Sequence, residues 1–177
     1  YYLVKAIFEQ TDRKNEEKDF LDLLLLAIIA DVVPLKGENR YLFKTGLKKL
    51  KQTERIGLKA LYNELDISSS EINEKTLGFQ IGPLLNSAGR IDSAEKGLKL
   101  LLTDDKKKAA GLAAELNQIN KHRKEISQKI YRELEMETKK EQRKAIVSYN
   151  SDWHQGVIGI AAGRITENYQ IPAVLMT

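Results

Sequence analysis

The sequence contains no cysteine. That excludes a disulfide framework, a thiolate metal site and a cysteine nucleophile. Histidine is nearly absent as well: only His122 and His154 occur, too few for a self-contained histidine-rich metal centre. Long apolar runs are also missing. The longest, Leu23 to Ala30, is bracketed by Asp22 and Asp31, far short of the roughly 20 residues a membrane-spanning helix needs. There is no G-x-x-x-x-G-K-[ST] phosphate loop, no G-x-G-x-x-G fingerprint and no H-E-x-x-H pair. The composition, 42% hydrophobic and 31% charged, excludes collagen-like and disordered classes. The net charge of +4 permits nucleic-acid binding without proving it. The opening Tyr1-Tyr2-Leu3 and the closing Val174-Leu175-Met176-Thr177 create the expectation of a piece of a longer protein.

Residues 1 to about 11 read as the tail of a helix, and Thr11 to Lys18 as a polar loop. Leucine and alanine dominate the next segment, predicting a buried helix up to Asp31. Pro34 discourages its continuation. Gly37 to Arg40 is expected to be a turn, Arg40 to Lys51 a basic amphipathic helix, and Ile56 to Leu65 another helix. Ser68 to Glu71 marks a helix start. Phe79 to Arg90 holds two glycines, a proline and an asparagine and is expected to be a shaped loop. Asp92 with Glu95 suggests a capping box, followed by an apolar face of Ala94, Leu98, Leu101 and Leu102. Thr103-Asp104-Asp105 caps a helix of about 35 residues, roughly 50 Å long. Its apolar stripe runs from Ala109 to Leu134. Ala145–Tyr149, Val157–Asn168 and Pro172–Met176 then read as strand, helix, strand, the opening of a parallel βαβ unit.

Three places carry candidate chemistry. Asp31 ends a deeply apolar segment. A carboxylate there is costly to bury unless it caps a helix, pairs with a base or holds a cation, and carboxylates suit manganese or magnesium. The loop to Arg90 offers close backbone approach at Gly89, with Asn86 and Arg90 as anion contacts; an interdomain turn with a salt bridge is the alternative. Trp153-His154-Gln155-Gly156 precedes a helix N-terminus, where free N–H groups favour anions. His154 is a candidate phosphate contact or proton carrier there, Trp153 a base-stacking platform or a core residue, and Arg164 a further contact. His122 and the Lys106 to Lys108 cluster read as solvated helix surface.

Taken together, Ile29-Ala30-Asp31-Val32-Val33-Pro34-Leu35 with Gly37-Glu38-Asn39-Arg40, Ile81-Gly82-Pro83-Leu84-Leu85-Asn86-Ser87-Ala88-Gly89-Arg90, and Trp153 through Ala162 with Arg164 resemble the RecJ-type single-stranded-DNA exonucleases of the Asp-His-His phosphoesterase superfamily. The match runs in order across nearly the whole chain. The resemblance implies an α/β protein: residues 1–104 as the helix-rich C-terminal part of an Asp-His-His domain, 105–143 as a connecting helix, and 144–177 as the opening βαβ unit of a second, substrate-binding domain. It implies Asp31 as a metal ligand in a two-metal Mn2+ or Mg2+ site built mostly from residues upstream. Phosphate or nucleic-acid contacts would fall at Asn86, Gly89, Arg90, Trp153, His154 and Arg164. The implied reaction is 5′-to-3′ hydrolysis of single-stranded DNA in repair and recombination, in the bacterial cytoplasm, with a helicase or single-strand-binding protein as partner. Ala27-Ile28 replaces the family's usual Gly-Thr, and Leu84 its usual arginine. Two other readings stay open: a phosphodiesterase on short oligoribonucleotides or cyclic dinucleotides, and a non-catalytic replication or repair scaffold.

Overall fold

The computed structural model describes residues 1–11, 13, 16–141 and 144–177, with the side chains of 140 and 141 left aside. Helix α1 (Tyr2–Gln10) leads through a 3-10 turn, Glu16–Phe20, into α2 (Leu21–Ala30). Helices α3 (Gly37–Lys51) and α4 (Ile56–Glu64) follow. A 3-10 turn at Ser69–Glu71 is closed by the reciprocal Ser68–Glu71 capping box, and α5 (Glu74–Thr76) by the Asn73 side chain. A π-turn, Leu77–Ile81, runs directly into α6 (Gly82–Ile91). Then come α7 (Glu95–Leu102), α8 (Lys106–Glu141), β1 (Ile146–Tyr149), α9 (Gln155–Tyr169) and β2 (Ala173–Met176). Strands β1 and β2 pair in parallel, Ile146 opposite Ala173 and Tyr149 opposite Met176. The α/β reading holds, with helix predominating. No helix among the described residues is long and apolar enough to cross a membrane.

Two cores share one backbone element. The first gathers Leu25, Leu50, Leu58, Leu61, Leu84 and Leu100 against Ala109, Ala113 and Leu116 of α8. The second gathers Trp153, Val157, Ala161 and Ile165 against Ile130, Tyr131 and Leu134 of the same helix. Each fully buried leucine contributes roughly 1.5–3 kcal/mol. The 36 residues of α8 therefore carry both lobes over about 54 Å. Its start is the predicted cap: the Asp105 carboxylate accepts the N–H groups of Lys107 and Lys108 at 2.8 and 3.0 Å.

Four expectations need correction. Gly37–Arg40 is the first turn of α3, not a separate turn; Gly37 enters it at φ +51°, a conformation glycine adopts freely. Residues 79–90 are helical, not a loop. Pro83 sits in the first turn of α6, where its missing N–H costs nothing. Asp92 does not cap α7; it pairs with Lys96, which also holds Glu115 of α8. The core-facing residues of α7 are Gly97, Leu100 and, as predicted, Leu101, whereas Ala94, Leu98 and Leu102 are exposed.

The buried carboxylate of the α2 segment is Asp22, at its start. It is 2% exposed and accepts from Arg55 Nε at 2.8 Å, Thr53 Oγ1 at 3.2 Å and the Leu23 N–H at 2.8 Å. Burial, and then the charge of Asp22, push the Tyr62 phenol above its usual range; that hydroxyl donates to the Leu50 carbonyl at 3.2 Å. Arg55→Met strands the Asp22 charge. The expected cost is about 3 kcal/mol, read as a lower urea midpoint with an unchanged denaturant slope.

A candidate anion groove between the two lobes

Asp31 occupies the residue after the last turn of α2, with φ −90° and ψ 4°. It is exposed, contrary to the burial expected from its neighbours. No hydrogen bond or ion pair to its carboxylate is found among the described residues. A helix C-terminus carries partial negative charge, so an unpaired carboxylate there is electrostatically disfavoured. A bound cation would relieve it. Val32 follows at φ +53° and is 85% exposed. A β-branched residue in that region is strained, and such strain concentrates at functional sites.

Beside this turn lies a cleft of about 190 Å³ whose wall includes Ala30, Val32, Asn86, Arg90, Arg123 and Ile160. It joins a second hollow of about 360 Å³ through Arg123 and Ile160, which line both; Lys124, Ser127, Gln128 and Arg164 complete that wall. The larger hollow between α4 and α8, about 470 Å³ and bounded by Ile56, Ala60 and Asn63, holds none of the candidate residues.

Three arginines from three helices meet along this groove. Among the described residues, Arg90 of α6 donates to the Gly156 carbonyl, at 3.4 Å. Arg123 of α8 donates Nε and Nη2 to Asn120 Oδ1 at 3.1 and 3.0 Å. Arg164 of α9 donates to Gln128 Oε1 at 2.9 Å and lies over the Tyr131 ring at 4.4 Å. None has a carboxylate partner among the described residues. Burial, and then the charge of Arg90, lower the Arg123 guanidinium's pKa. Both causes disfavour the cation, and an anion bound between the two arginines would offset both. Ser127, 4% exposed, lines the same groove with its hydroxyl unpartnered.

The other candidates divide. His154 caps α9: its Nδ1 accepts the Gly156 N–H at 3.1 Å. That bond makes the neutral ring an Nε2–H donor. Trp153 is no stacking platform. It is 7% exposed in the second core, and its indole N–H donates to Glu133 Oε2 at 2.8 Å. Gly89 does not line the cleft; it packs against Ala94. Arg123 had no separate signal in the sequence, because it sits within the charged run Lys121–Lys124.

The described residues include no group of three acidic or histidine side chains able to hold a metal. Asp31 fits as one oxygen ligand, and one carboxylate does not complete a centre.

Comparisons with known proteins agree with this architecture. No family model matches the chain. It is 39% identical over 160 residues to the single-stranded-DNA-specific exonuclease RecJ of Bacillus subtilis, covering 89% of this chain and 20% of that protein. Against the Escherichia coli protein of the same name it is 38% identical over 163 residues, covering 88% and 28%. The fold superposes on RecJ of Thermus thermophilus in complex with Mn2+ with a TM-score of 0.88 at 35% identity, covering 98% of this chain and 26% of that one. A further exonuclease RecJ bound to manganese gives 0.86 at 34%, covering 98% and 44%. In sequence and fold the chain corresponds to one helix-rich segment of the RecJ proteins. It spans 20% to 28% of the length of the curated relatives it matches.

Anion binding at the groove is testable without any reaction. Sulfate is expected to raise the melting temperature above that in chloride of equal ionic strength. In Arg123→Met the anion-specific part of that rise should disappear, leaving the general salting effect. Differential scanning calorimetry of both proteins in both salts measures it.

Proposed function

We propose that the chain is the middle part of a metal-dependent exonuclease that hydrolyses single-stranded DNA from 5′ to 3′ in repair and recombination. The observation that carries this is the groove in which Arg90, Arg123 and Arg164 meet without a carboxylate, beside the unpaired Asp31. The RecJ relatives, named as single-stranded-DNA-specific exonucleases, support the substrate class. The complexes with Mn2+ and Mg2+ support the metal. Residues 1–104 would belong to the Asp-His-His domain, 105–143 to the connector and 144–177 to the substrate-binding domain.

Each residue has a part. Guanidinium forks grip phosphate oxygens through paired N–H donors, so the three arginines align successive phosphates or hold a terminal one. Asn86, exposed on the cleft wall, adds an amide contact. His154 presents its Nε2–H at the N-terminus of α9, a place that favours anions; we assign it to phosphate contact or proton delivery. Asp31 would supply one carboxylate to a divalent metal completed by groups outside this chain. That metal would lower the pKa of a bound water and neutralise charge on the phosphoryl oxygens. Leu84 is fully buried in the first core and does not line the groove. A helicase or single-strand-binding protein delivering the strand, in the cytoplasm, belongs to this reading.

The test uses the full-length parent with Mn2+ and 5′-labelled single-stranded and duplex DNA. Release of nucleotides from single strands is expected. In Asp31→Asn it should fall by more than about 100-fold, the upper range for losing a group that only supports a metal ligand. Equal turnover by the variant would remove Asp31 from the metal site. No release from any DNA by the folded parent would overturn the nuclease reading.

A further inference from the structure

Gly156 of α9 lies directly against the backbone of α6. A Cβ built on it would lie 2.0 Å from the Arg90 carbonyl oxygen, 2.9 Å from its carbon and 3.2 Å from its Cα. All three are backbone atoms, so no side chain can swing aside to make room. The contact is reinforced on both sides. The Gly156 carbonyl accepts from the Arg90 guanidinium at 3.4 Å, and the Gly156 N–H is donated to His154 Nδ1 at 3.1 Å. Ile91, the residue after Arg90, packs against the second core. The remaining glycines of α9 behave differently: Gly159 and Gly163 have open space where a Cβ would go.

We propose that Gly156 is a positioning residue that seats the second lobe on α6 and thereby fixes Arg90 in the groove and His154 at the N-terminus of α9 next to it. Its missing side chain lets the backbone of α9 rest on the backbone of α6. One residue holds an orienting bond of both Arg90 and His154. A methyl group at this position must push α9 away from Arg90. That carries His154 with it and breaks the guanidinium–carbonyl bond. The width of the groove is therefore set at Gly156 as well as by α8.

The consequence for DNA rests on the nuclease reading, whereas the geometric consequence does not, so the two are measured separately. The absence of cysteine allows spin labels on the full chain at Lys48→Cys in α3 and Glu167→Cys in α9, both exposed. Electron–electron distance measurements are expected to give one narrow distribution in the parent. Gly156→Ala should shift or broaden it by several ångströms while the circular dichroism stays helical. Gly159→Ala, on the same helix, should leave it unchanged and raise the melting temperature slightly. An unchanged distribution in Gly156→Ala would overturn the proposal, as would an equal displacement in Gly159→Ala. Should Gly156→Ala fail to fold, the unsubstituted chain decides by NMR. A nuclear Overhauser effect between the Gly156 and Arg90 α-protons is expected, and its absence would overturn the seating. In the second arm, Gly156→Ala should bind a fluorescent oligo-dT at least tenfold more weakly at low salt than Gly159→Ala does. Equal affinities would remove the role in positioning Arg90 and His154. A displaced lobe with no DNA binding by any form would uphold the seating and overturn the nuclease reading.

Discussion

Everything else in the molecule depends on the unbroken course of α8. An isolated helix of this length has no reason to stay in place, because most helical stability in proteins comes from packing one apolar face. Here that face is used twice. Ala109, Ala113 and Leu116 close the first core, and Ile130, Tyr131 and Leu134 close the second. Between them the helix carries Asn120, Arg123 and Ser127, polar groups turned toward the junction. The groove exists because the two cores are separate while the helix between them is continuous. Small residues near the first core let neighbouring helices lie close. Asn117 adds a bond across to Glu64 of α4 at 2.7 Å.

The electrostatics of the junction are unbalanced. Elsewhere several basic side chains meet acids: Lys49 with Asp19, Lys59 with Glu54, Lys96 with Asp92 and Glu115. Inside the groove the three arginines meet amides, a carbonyl and a ring. Across the turn, Asp31 is a carboxylate at the wrong end of a helix dipole, with no ion pair among the described residues. Unpaired charge of one sign on one wall, and of the other sign at the rim, is costly to maintain in a stable fold. It is suited to a polyanion carrying a cation with it.

The larger elements were legible in the sequence because their signals are long or local. The α8 stripe persists for about seven turns, and its Asp105 cap and the βαβ spacing need only neighbouring residues. The junction was harder to read. Gly82, Pro83 and Gly89 look like loop chemistry, yet proline is at ease in a first helical turn and glycine also serves close packing, as the neighbours of Gly82 and Gly89 show. The face of α7 was misassigned because Leu98 and Leu102 are as apolar as Leu100; only the position of α8 chooses between them. Asp22 and Asp31 bracket the same apolar run, and nothing local says that Arg55 reaches the first and not the second. Arg123 matters through its nearness to Arg90, a relation between residues 33 positions apart. Trp153 was open to two readings until the fold placed Glu133 at its indole nitrogen.

The continuity of α8 also limits how such a protein can change its length. Each residue inserted between Leu116 and Ile130 turns whatever follows by about 100° and advances it about 1.5 Å. A single insertion there would swing the βαβ lobe around the helix axis, taking Arg164 out of the groove while each core remained intact. Seven residues would restore the facing but separate the lobes by about 10 Å. The stretch between the two cores thus acts as a ruler. Side chains on its outer surface are free to drift, whereas its residue count is not.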